Sequence, residues 1–499
     1  MNLMMLLEMA ASGFPDRVSV QNGADKLTYQ ELFQSAGGVA AEVSASDCGR
    51  LAMLDVSSLA LPVGLFGSAW AGIPFVPLNY RLTAEELDAL LAQIAPAYLV
   101  AEDERVEALA GFPHGSVVPR TGFLEQARAA EAPDPTWPMD PEDIAVLLFT
   151  SGTTGAPKAA VLRHKHLVSY ILGSVEFGAA AETDAALVCV PPYHIAGIAA
   201  IASSIYSGRR MVQLPNFDAK AWLDLARAER VTNAFVVPTM LSRIIDALEG
   251  AECADLPHLR ALSYGGGKMP QPVIEKAMRL FPEADFTIAY GLTETSSTIA
   301  VLGPDDHRAA AASEDPEVRR RIASVGRPLP SVEVQIRNDE GQVQPAGERG
   351  EIYVRGEQVS GEYLGRGSSV DPEGWFPTRD AGSMDADGYL FLEGRADDVI
   401  VRGGENMSPG EIEDVLLEHE AVADSAVVGV PDEQWGEAVA AVVVTKPGQS
   451  VSVEELQEWV RARLRSSRMP QHVEFVDELP YNETGKLLRR KIRERLAQG

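Results

Sequence analysis

The sequence of 499 residues contains only three cysteines, and their positions exclude most roles that cysteine serves in pairs or clusters. Cys48, Cys189 and Cys253 lie far apart, so they match no metal-binding motif. Cys189 belongs to the apolar run ALVCV, which predicts a small buried side chain. Such sparse use of cysteine fits the reducing cytoplasm, where we expect the protein to reside.

Long apolar runs are also missing. No uncharged run made up of apolar residues approaches the ~18–20 residues needed to span a bilayer, so we expect no stable membrane insertion. The first residues, MNLMMLLEMAASGF, carry Glu8 and lack a basic start, which argues against a secretory signal. Their Leu and Met residues recur at helical spacing and predict an amphipathic first helix.

Positive charge is scarce as well. Lys and Arg number 43 against 72 Asp and Glu, and the net charge is −29. Proteins bind phosphate backbones and anionic lipid surfaces through Lys and Arg, so we expect no nucleic-acid partner. An anionic ligand must instead be held by local groups such as backbone N–H donors, helix ends or a metal ion.

Apolar residues, at 46 %, are sufficient for a large core. Between about 140 and 295, short apolar runs alternate with amphipathic helical stretches, which predicts mostly parallel α/β sheets covered by helices. From about 325 the sequence becomes β-rich, and 398–499 suggests a compact α+β unit. We therefore predict a large N-terminal domain of several subdomains over 1–394 and a small mobile C-terminal domain over 395–499.

The strongest functional signal is the loop TSGTTGAPK at 150–158, which directly follows the apolar run AVLLF. Two glycines and four hydroxyl residues supply many N–H and O–H donors, as phosphate oxygens require. The alternative is an ordinary surface turn, and the spacing does not match a Walker A loop. The predicted phosphate-binding residues are Thr150, Ser151, Gly152, Thr153, Thr154, Gly155 and Lys158.

With this loop, the sequence resembles the adenylate-forming superfamily, which contains acyl-CoA synthetases, peptide-synthetase adenylation domains and firefly-type luciferases. Further motifs follow in the order of that family: PPYH at 191–194, YGLTE at 290–294, TRD at 378–380, GRAD at 394–397, GGEN at 403–406 and GK at 485–486. The resemblance covers nearly the whole chain. It implies an enzyme that uses ATP and Mg²⁺, with CoA as co-substrate.

The resemblance also implies where ATP binds. Adenine is expected between the glycine run Gly265, Gly266, Gly267 and the strand end at Tyr290 and Gly291, although the glycine run could instead be a turn before a helix. Asp380 and Arg395 are expected at the ribose and phosphates. Thr293 and Glu294 are expected to hold Mg²⁺. The sequence departs from the family at Arg379, where a glycine is usual; a positive φ there would strain this residue.

In the C-terminal segment, the resemblance makes Lys486 the residue that reaches the attacking carboxylate and the α-phosphate. Asp397 is implied as the hinge about which the small domain rotates, and Gly403 and Gly404 as the wall of a pantetheine tunnel. Trp435 either stacks on the CoA adenine or is a partly exposed packing residue. We expect most basic residues of the terminal segment 489–495 to be solvated.

His194 bears on the substrate. Amino-acid-activating relatives have an Asp at its position to pair with the substrate ammonium, so His194 predicts an acid without an α-amino group. The resemblance makes His194 a gate between the acyl pocket and the thiol tunnel. The predicted pocket wall is mainly apolar and lacks a cation, which favours a fatty or aryl acid. Its residues are Ile195, Ile198, Val237, Thr239, Met240 and Ser296.

These observations predict an AMP-forming acyl-CoA synthetase whose substrate is a small-molecule carboxylic acid, fatty or aryl. They are also compatible with a homo-oligomer. Two alternatives remain. The first is an adenylating enzyme that loads the acyl group onto a carrier protein. The second is a non-catalytic nucleotide-binding regulatory protein, which the presence of Glu294, Asp380 and Lys486 argues against.

Overall fold

The protein is described by a computed structural model. The structure describes residues 1–109, 111–150, 158–267, 269–402, 405–432, 434–481 and 487–496, with the backbone alone at 397, 405 and 406. Within these ranges, none of the helices combines the length and the apolar character that crossing a bilayer requires.

Fifteen α-helices lie in the described part of the chain. They are α1 (Met4–Gly13), α2 (Tyr29–Ser44), α3 (Ala60–Ala71), α4 (Ala84–Ile94), α5 (Arg120–Ala129), α6 (His164–Ser174), α7 (Ile195–Ser207), α8 (Ala219–Ala228), α9 (Pro238–Ala247), α10 (Gln271–Leu280), α11 (Pro304–Ala312), α12 (Pro316–Arg319), α13 (Pro409–Leu417), α14 (Val453–Arg461) and α15 (Arg489–Leu496).

The first fifteen strands lie between residues 18 and 328. They are β1 (Val18–Asn22), β2 (Asp25–Thr28), β3 (Leu51–Leu54), β4 (Phe75–Pro77), β5 (Ala97–Ala101), β6 (Gly115–Pro119), β7 (Ile144–Thr150), β8 (Lys158–Arg163), β9 (Ala185–Val188), β10 (Arg210–Gln213), β11 (Asn233–Val236), β12 (Ala261–Gly265), β13 (Asp285–Leu292), β14 (Ser297–Leu302) and β15 (Arg327–Pro328). Of these, β7 to β13 fall in the range 140–295 that the sequence predicted to alternate strand and helix.

The remaining strands belong to the β-rich and C-terminal segments. They are β16 (Glu333–Arg337), β17 (Gly350–Arg355), β18 (Glu362–Tyr363), β19 (Gly367–Ser368), β20 (Phe376–Met384), β21 (Leu390–Arg395), β22 (Ile400–Arg402), β23 (Glu405–Met407), β24 (Val422–Asp432), β25 (Gly436–Thr445) and β26 (His472–Phe475).

Two large mixed sheets form the centre of the N-terminal part. One has nine strands in the order β15-β14-β13-β12-β11-β9-β10-β1-β2. Its six central strands, β13, β12, β11, β9, β10 and β1, pair in parallel. The other has eight strands in the order β19-β18-β8-β7-β4-β3-β5-β6. The predicted α/β class with mostly parallel sheets is therefore confirmed.

The β-rich segment forms a four-stranded antiparallel sheet, β16-β17-β20-β21. The C-terminal segment forms a five-stranded sheet, β23-β22-β25-β24 with β26 beside β25. Two apolar clusters pack on this last sheet, and their buried residues all lie at position 400 or beyond. The C-terminal segment thus has a core of its own.

Local sequence signals explain several helix boundaries. Thr28 and Glu31 form a reciprocal capping box at the start of α2, and Thr83 and Glu86 do the same for α4. Pro238 occupies the first turn of α9, where its missing N–H costs nothing. In α1 the Leu and Met side chains are largely buried while Glu8 is exposed, which confirms the predicted amphipathic first helix.

Candidate functional site

The predicted phosphate loop joins two antiparallel strands. Thr150 is the last residue of β7, Lys158 is the first residue of β8, and the two lie opposite each other in the ladder. The Thr150 hydroxyl donates to the carbonyl oxygen of Lys158 at 3.4 Å. The two ends of the loop are therefore fixed to each other. The predicted residues Ser151, Gly152, Thr153, Thr154 and Gly155 lie outside the described residues.

Glu294 lies close to this hairpin. Tyr363 on β18 pairs with β8, and its hydroxyl donates to Oε1 of Glu294 at 2.6 Å. The Lys158 ammonium lies 5.8 Å from the centre of the Tyr363 ring. Burial and the neighbouring carboxylate raise the pKa of Tyr363, so this hydroxyl stays protonated and remains a donor. The structure thus places a cation, a phenol and a carboxylate side by side.

The backbone around Glu294 is also fixed from outside its own turn. Thr293 and Glu294 belong to a short 3₁₀ turn between β13 and β14. The N–H groups of Ser360 and Gly361 donate to the Glu294 carbonyl oxygen at 2.8 and 3.3 Å. The chain segment that leads into β18 therefore holds both the side chain and the main chain of Glu294.

A second cluster lies near the end of β13, the strand that leads into the Glu294 turn. The hydroxyl of Tyr290 on β13 donates to Oδ2 of Asp380 at 2.7 Å, and Arg395 forms an ion pair with Oδ1 of Asp380 at 2.8 Å. Arg395 also donates to the carbonyl oxygen of Thr378 at 3.1 Å. Burial, reinforced by Asp380, raises the pKa of Tyr290 well above its usual value. Asp380 is thus held in place by two side chains, both predicted from the sequence.

One buried atom in this cluster has no partner. Among the described residues, Nε of Arg395 makes no hydrogen bond, although it is buried. A buried N–H without a partner is destabilising, so this atom is a candidate donor to a bound ligand. Ribose or phosphate oxygens are acceptors of the required kind.

Two of the predicted site glycines are required by the packing of the sheet. A Cβ at Gly265 would lie 2.2 Å from the carbonyl oxygen of Ala289, and one at Gly291 would lie 1.7 Å from that of Ser297. Both positions therefore exclude a side chain because the next strand is too close. Gly266 has a φ of +81°, which suits a turn, and Gly267 follows it before α10. Both interpretations of this glycine run stay open.

Arg379 adopts a positive φ of 62°, the conformation that its family-typical glycine would favour. Its N–H donates to Oε1 of Glu351 at 3.2 Å, and its Nε lies 3.8 Å from the same oxygen. The strain that the sequence predicted at this position is therefore present. The neighbouring Asp380 still reaches Tyr290 and Arg395.

His194 immediately precedes α7, and its ring packs against Tyr193 with 4.6 Å between ring centres. Burial lowers the pKa of His194 to about 4, so the imidazole is neutral at physiological pH. Its Nε2 is buried and lacks a hydrogen-bond partner among the described residues. This atom is therefore a candidate partner for a polar group of a bound ligand.

The predicted acyl-pocket residues have unequal exposure. Ile198, Val237 and Met240 are buried and belong to the main apolar core, while Ile195 and Thr239 are partly exposed.

Ser296 is fully buried with a φ of 56°, and its hydroxyl oxygen lacks a partner within the described part of the chain. Among the residues predicted to form the acyl pocket, Ser296 therefore has a buried hydroxyl without a described partner.

Several predicted C-terminal residues cannot be placed. Lys486, Gly403 and Gly404 lie outside the described residues, and Asp397 is described by its backbone alone, within a short 3₁₀ turn. Trp435 is 45 % exposed, and the Arg402 guanidinium lies 5.3 Å from its ring centre. An exposed indole beside a guanidinium agrees with either interpretation of Trp435.

The terminal helix α15 agrees with the expectation that most of its basic residues are solvated, since Arg490, Lys491 and Arg495 are exposed. Arg489 and Arg493 are the exceptions: their side chains are partly buried and form ion pairs with Asp398. Sequence reasoning missed these pairs because their partners lie more than 90 residues away in the chain.

Tyr363 was missed as well. It lies in a two-residue strand, and nothing in the surrounding EYLGR distinguishes it from a surface tyrosine. The pairing of β18 with β8, together with the hydrogen bonds from Ser360 and Gly361 to the Glu294 backbone, brings it to Glu294.

Comparison with known proteins agrees with this geometry. The family model described as "AMP-binding enzyme" matches residues 7–364, and the model "AMP-binding enzyme C-terminal domain" matches 411–486. The chain is 34 % identical to a feruloyl-CoA synthase of Amycolatopsis sp over 490 residues, which cover 96 % of each chain.

Two further matches are informative: the name of the first gives a carrier protein as the acyl acceptor, and the second is a solved structure. The chain is 34 % identical to a fatty acid–[acyl-carrier-protein] ligase of Streptomyces coeruleorubidus, covering 94 % of this chain and 91 % of that one. The structure of o-succinylbenzoate CoA synthetase from Bacillus subtilis with its acyl-adenylate intermediate superposes with a TM-score of 0.85 and 28 % identity, covering 98 % of this chain and 97 % of that one.

Proposed function

Because the chain belongs to the AMP-binding enzyme family, we propose that it joins an aryl or fatty carboxylic acid to CoA, using ATP. It is an AMP-forming acid–thiol ligase, as are the CoA ligases to which it is similar. The observation that carries the proposal is the pair of clusters along β13. Tyr290, Asp380 and Arg395 form one cluster, and Glu294, Tyr363 and Lys158 form the other.

In the first half-reaction, a carboxylate oxygen of the acid bonds to the α-phosphorus of ATP. The bond from that phosphorus to the pyrophosphate oxygen breaks, so pyrophosphate leaves and acyl-AMP remains. The barrier includes repulsion between two anions and charge on the leaving group. Lys158 and the hydroxyl-rich loop at 150–158 would stabilise the phosphates, and Lys486 the reacting oxygens.

The first cluster would bind the nucleoside. Ionised Asp380 can accept hydrogen bonds from both ribose hydroxyls, and Arg395 can donate its unpaired Nε–H to a ribose or phosphate oxygen. Because Tyr290 and Arg395 already orient Asp380, ribose binding requires little rearrangement of this carboxylate.

Mg²⁺ fits the second cluster. Hard oxygen ligands suit this ion, which usually takes one or two carboxylates together with substrate phosphates. Glu294 supplies a carboxylate with one oxygen accepting from Tyr363, and Thr293 supplies a neighbouring hydroxyl. When bound there, Mg²⁺ would neutralise charge on the phosphates.

In the second half-reaction, the thiol sulfur of CoA bonds to the acyl carbon and loses its proton. The carbon–oxygen bond to AMP breaks, so acyl-CoA and AMP result. We place the boundary of the mobile domain at 394–395 and the hinge at Asp397. Rotation of the mobile domain would move Lys486 out of the active site and bring in the segment that contains Gly403 and Gly404. Trp435 and Arg402 offer an aromatic and cationic surface for the CoA nucleotide.

The pocket favours an acid without an α-amino group. His194 is neutral and stands where an ammonium-binding carboxylate would be needed. The unpaired Nε2 of His194 and hydroxyl of Ser296 lie in the proposed wall, and each gains a hydrogen bond only from a substrate with a polar substituent. We therefore expect aryl acids that carry a hydroxyl or ether group to exceed saturated fatty acids in kcat/KM.

The test is acid-dependent exchange of labelled pyrophosphate into ATP, measured across a panel of hydroxylated aryl, plain aryl and saturated fatty acids. We expect exchange, with the hydroxylated aryl acids fastest. Exchange with saturated fatty acids alone contradicts the expected preference for aryl acids that carry a polar group. Absence of exchange with every acid supports a non-catalytic nucleotide-binding protein instead.

Similarity to a carrier-protein ligase keeps a second acceptor under test. Acyl-AMP supplied to the enzyme should release AMP faster with CoA than with a phosphopantetheinylated carrier protein. The reverse ranking identifies carrier loading as the function. Lys486→Ala should abolish exchange yet leave this thioester step intact, and equal loss of both steps contradicts the role assigned to Lys486.

A further inference from the structure

The structure joins the helix that follows Lys486 to the hinge segment. Arg493 on α15 donates from Nη2 to Oδ1 of Asp398 at 2.8 Å, and Nη1 of Arg489 lies 4.0 Å from Oδ2 of the same carboxylate. Asp398 directly follows the proposed hinge residue, in the same 3₁₀ turn. Its side chain is only 17 % exposed, so these ion pairs are sheltered from solvent.

The same helix is fixed to the rest of the C-terminal unit. Arg489 forms a second ion pair with Glu413 of α13, and its Nε donates to the carbonyl oxygen of Val427 on β24 at 3.3 Å. Glu413 also accepts from the N–H of Val427 at 2.8 Å. Arg489 thus joins three separate segments: the hinge turn, α13 and β24.

This arrangement has a consequence for catalysis. Lys486 lies three residues before α15, so the position of this helix limits where the lysine loop can go. Since Asp398 lies on the C-terminal side of the proposed hinge at Asp397, it would move with α15 when the domain rotates.

We infer that Asp398, Arg489 and Arg493 act as positioning residues that fix the Lys486 loop relative to the hinge during the adenylation step. The inference rests on the proposed function. Neither arginine reaches the substrate in this account, so their effect is exerted through Lys486. The adenylation step should depend on these pairs, and the thioester step, which does not use Lys486, should not.

Arg493→Gln tests the inference, because Arg493 is 37 % exposed and can be changed without opening the core. We expect about a tenfold loss of pyrophosphate exchange, as a shift of a positioning contact can produce. Thioester formation from supplied acyl-AMP and CoA should stay near the wild-type rate. Arg493→Lys keeps the cation and should recover part of the exchange.

Arg490→Gln is the matched control, since it removes the same charge from the same helix but breaks only a pair with Glu494 inside that helix. It should change neither half-reaction. Equal losses in Arg490→Gln and Arg493→Gln, or equal losses of both half-reactions in Arg493→Gln, overturn the inference.

Asp398→Asn provides a second approach. When combined with Arg493→Gln, it should reduce exchange little further than either change alone, whereas multiplicative losses contradict direct coupling. Failure of the proposed function is distinguishable, because the wild-type protein would then show no exchange with any acid.

Discussion

At the scale of single residues, Arg379 shows how a strained position can be tolerated beside a functional one. Its φ of 62° is unfavourable for a residue with a Cβ, and Glu351 holds the conformation by accepting from its backbone N–H. The next residue, Asp380, keeps both of its partners. The local chain geometry is therefore preserved although glycine is absent.

Arg379→Gly should stabilise the protein by roughly 0.5–1 kcal/mol, since glycine adopts this φ without strain and the ion pair it removes is long, at 3.8 Å, with the Arg379 side chain mostly in solvent. Thermal and urea unfolding measure this effect. Arg379→Ala is the control, because it removes the same side chain but keeps the Cβ. It should not stabilise the protein, and an equal gain in both variants would assign the effect to side-chain repulsion.

Residues within motifs were predictable from the sequence, whereas residues in isolation were not. Asp380, Arg395, Tyr290 and Glu294 stand in ordered motifs, and the structure brings them to the two neighbouring clusters. Tyr363 has no such context, and its contact with Glu294 depends on a ladder pairing across some 200 residues. Long-range pairing of this kind leaves no local signal for periodicity to detect.

At the scale of elements, the hairpin of β13 and β14 supports the site. Its register shifts between Tyr290 and Gly291, which brings the backbone of Ser297 against Gly291. The short turn of Thr293–Thr295 closes this hairpin and presents Glu294. The strands themselves were predictable from their apolar runs, but the bulge was not, because it results from the approach of a neighbouring strand.

Gly291→Ala should destabilise the protein by about 2–4 kcal/mol and abolish pyrophosphate exchange, because a Cβ would overlap the Ser297 carbonyl oxygen and displace the turn that carries Glu294. Gly303→Ala, just beyond the end of β14, is the matched control, since no atom lies within 4 Å of its Cβ position. Urea unfolding and exchange assays compare the two. Equal tolerance of both changes would mean that the hairpin can move apart without affecting the site.

At the scale of the whole molecule, several imidazoles are buried in the neutral state although the protein is strongly acidic. Burial lowers the pKa of His164, His166 and His194 to about 4. Nδ1 of His164 accepts from the N–H of Leu3, and Nδ1 of His166 accepts from the N–H of Arg163, so both rings need an unprotonated Nδ1. Protonation would break these bonds and place a charge in the core. The net charge of −29 could not be used to predict this, because it describes the surface more than the interior.

The free energy of unfolding should therefore fall as the pH drops from 6.5 towards 4. Between these values the unfolded chain binds protons that the folded chain does not, and each imidazole removes up to about 2 kcal/mol at pH 5. Burial raises the pKa of Asp55 to about 6 and also raises that of Asp424, so these two carboxyls act in the opposite direction, but four imidazoles oppose them because burial lowers the pKa of His307 as well.

Urea midpoints at pH 7.5 and 5.0 measure the slope. Replacing His164 and His166 by Asn keeps a hydrogen-bond acceptor without a proton site and should flatten the slope of stability against pH. His472 is exposed, so His472→Asn should leave that slope unchanged. An unchanged slope in the double variant would show that these two imidazoles are not the source of the acid sensitivity.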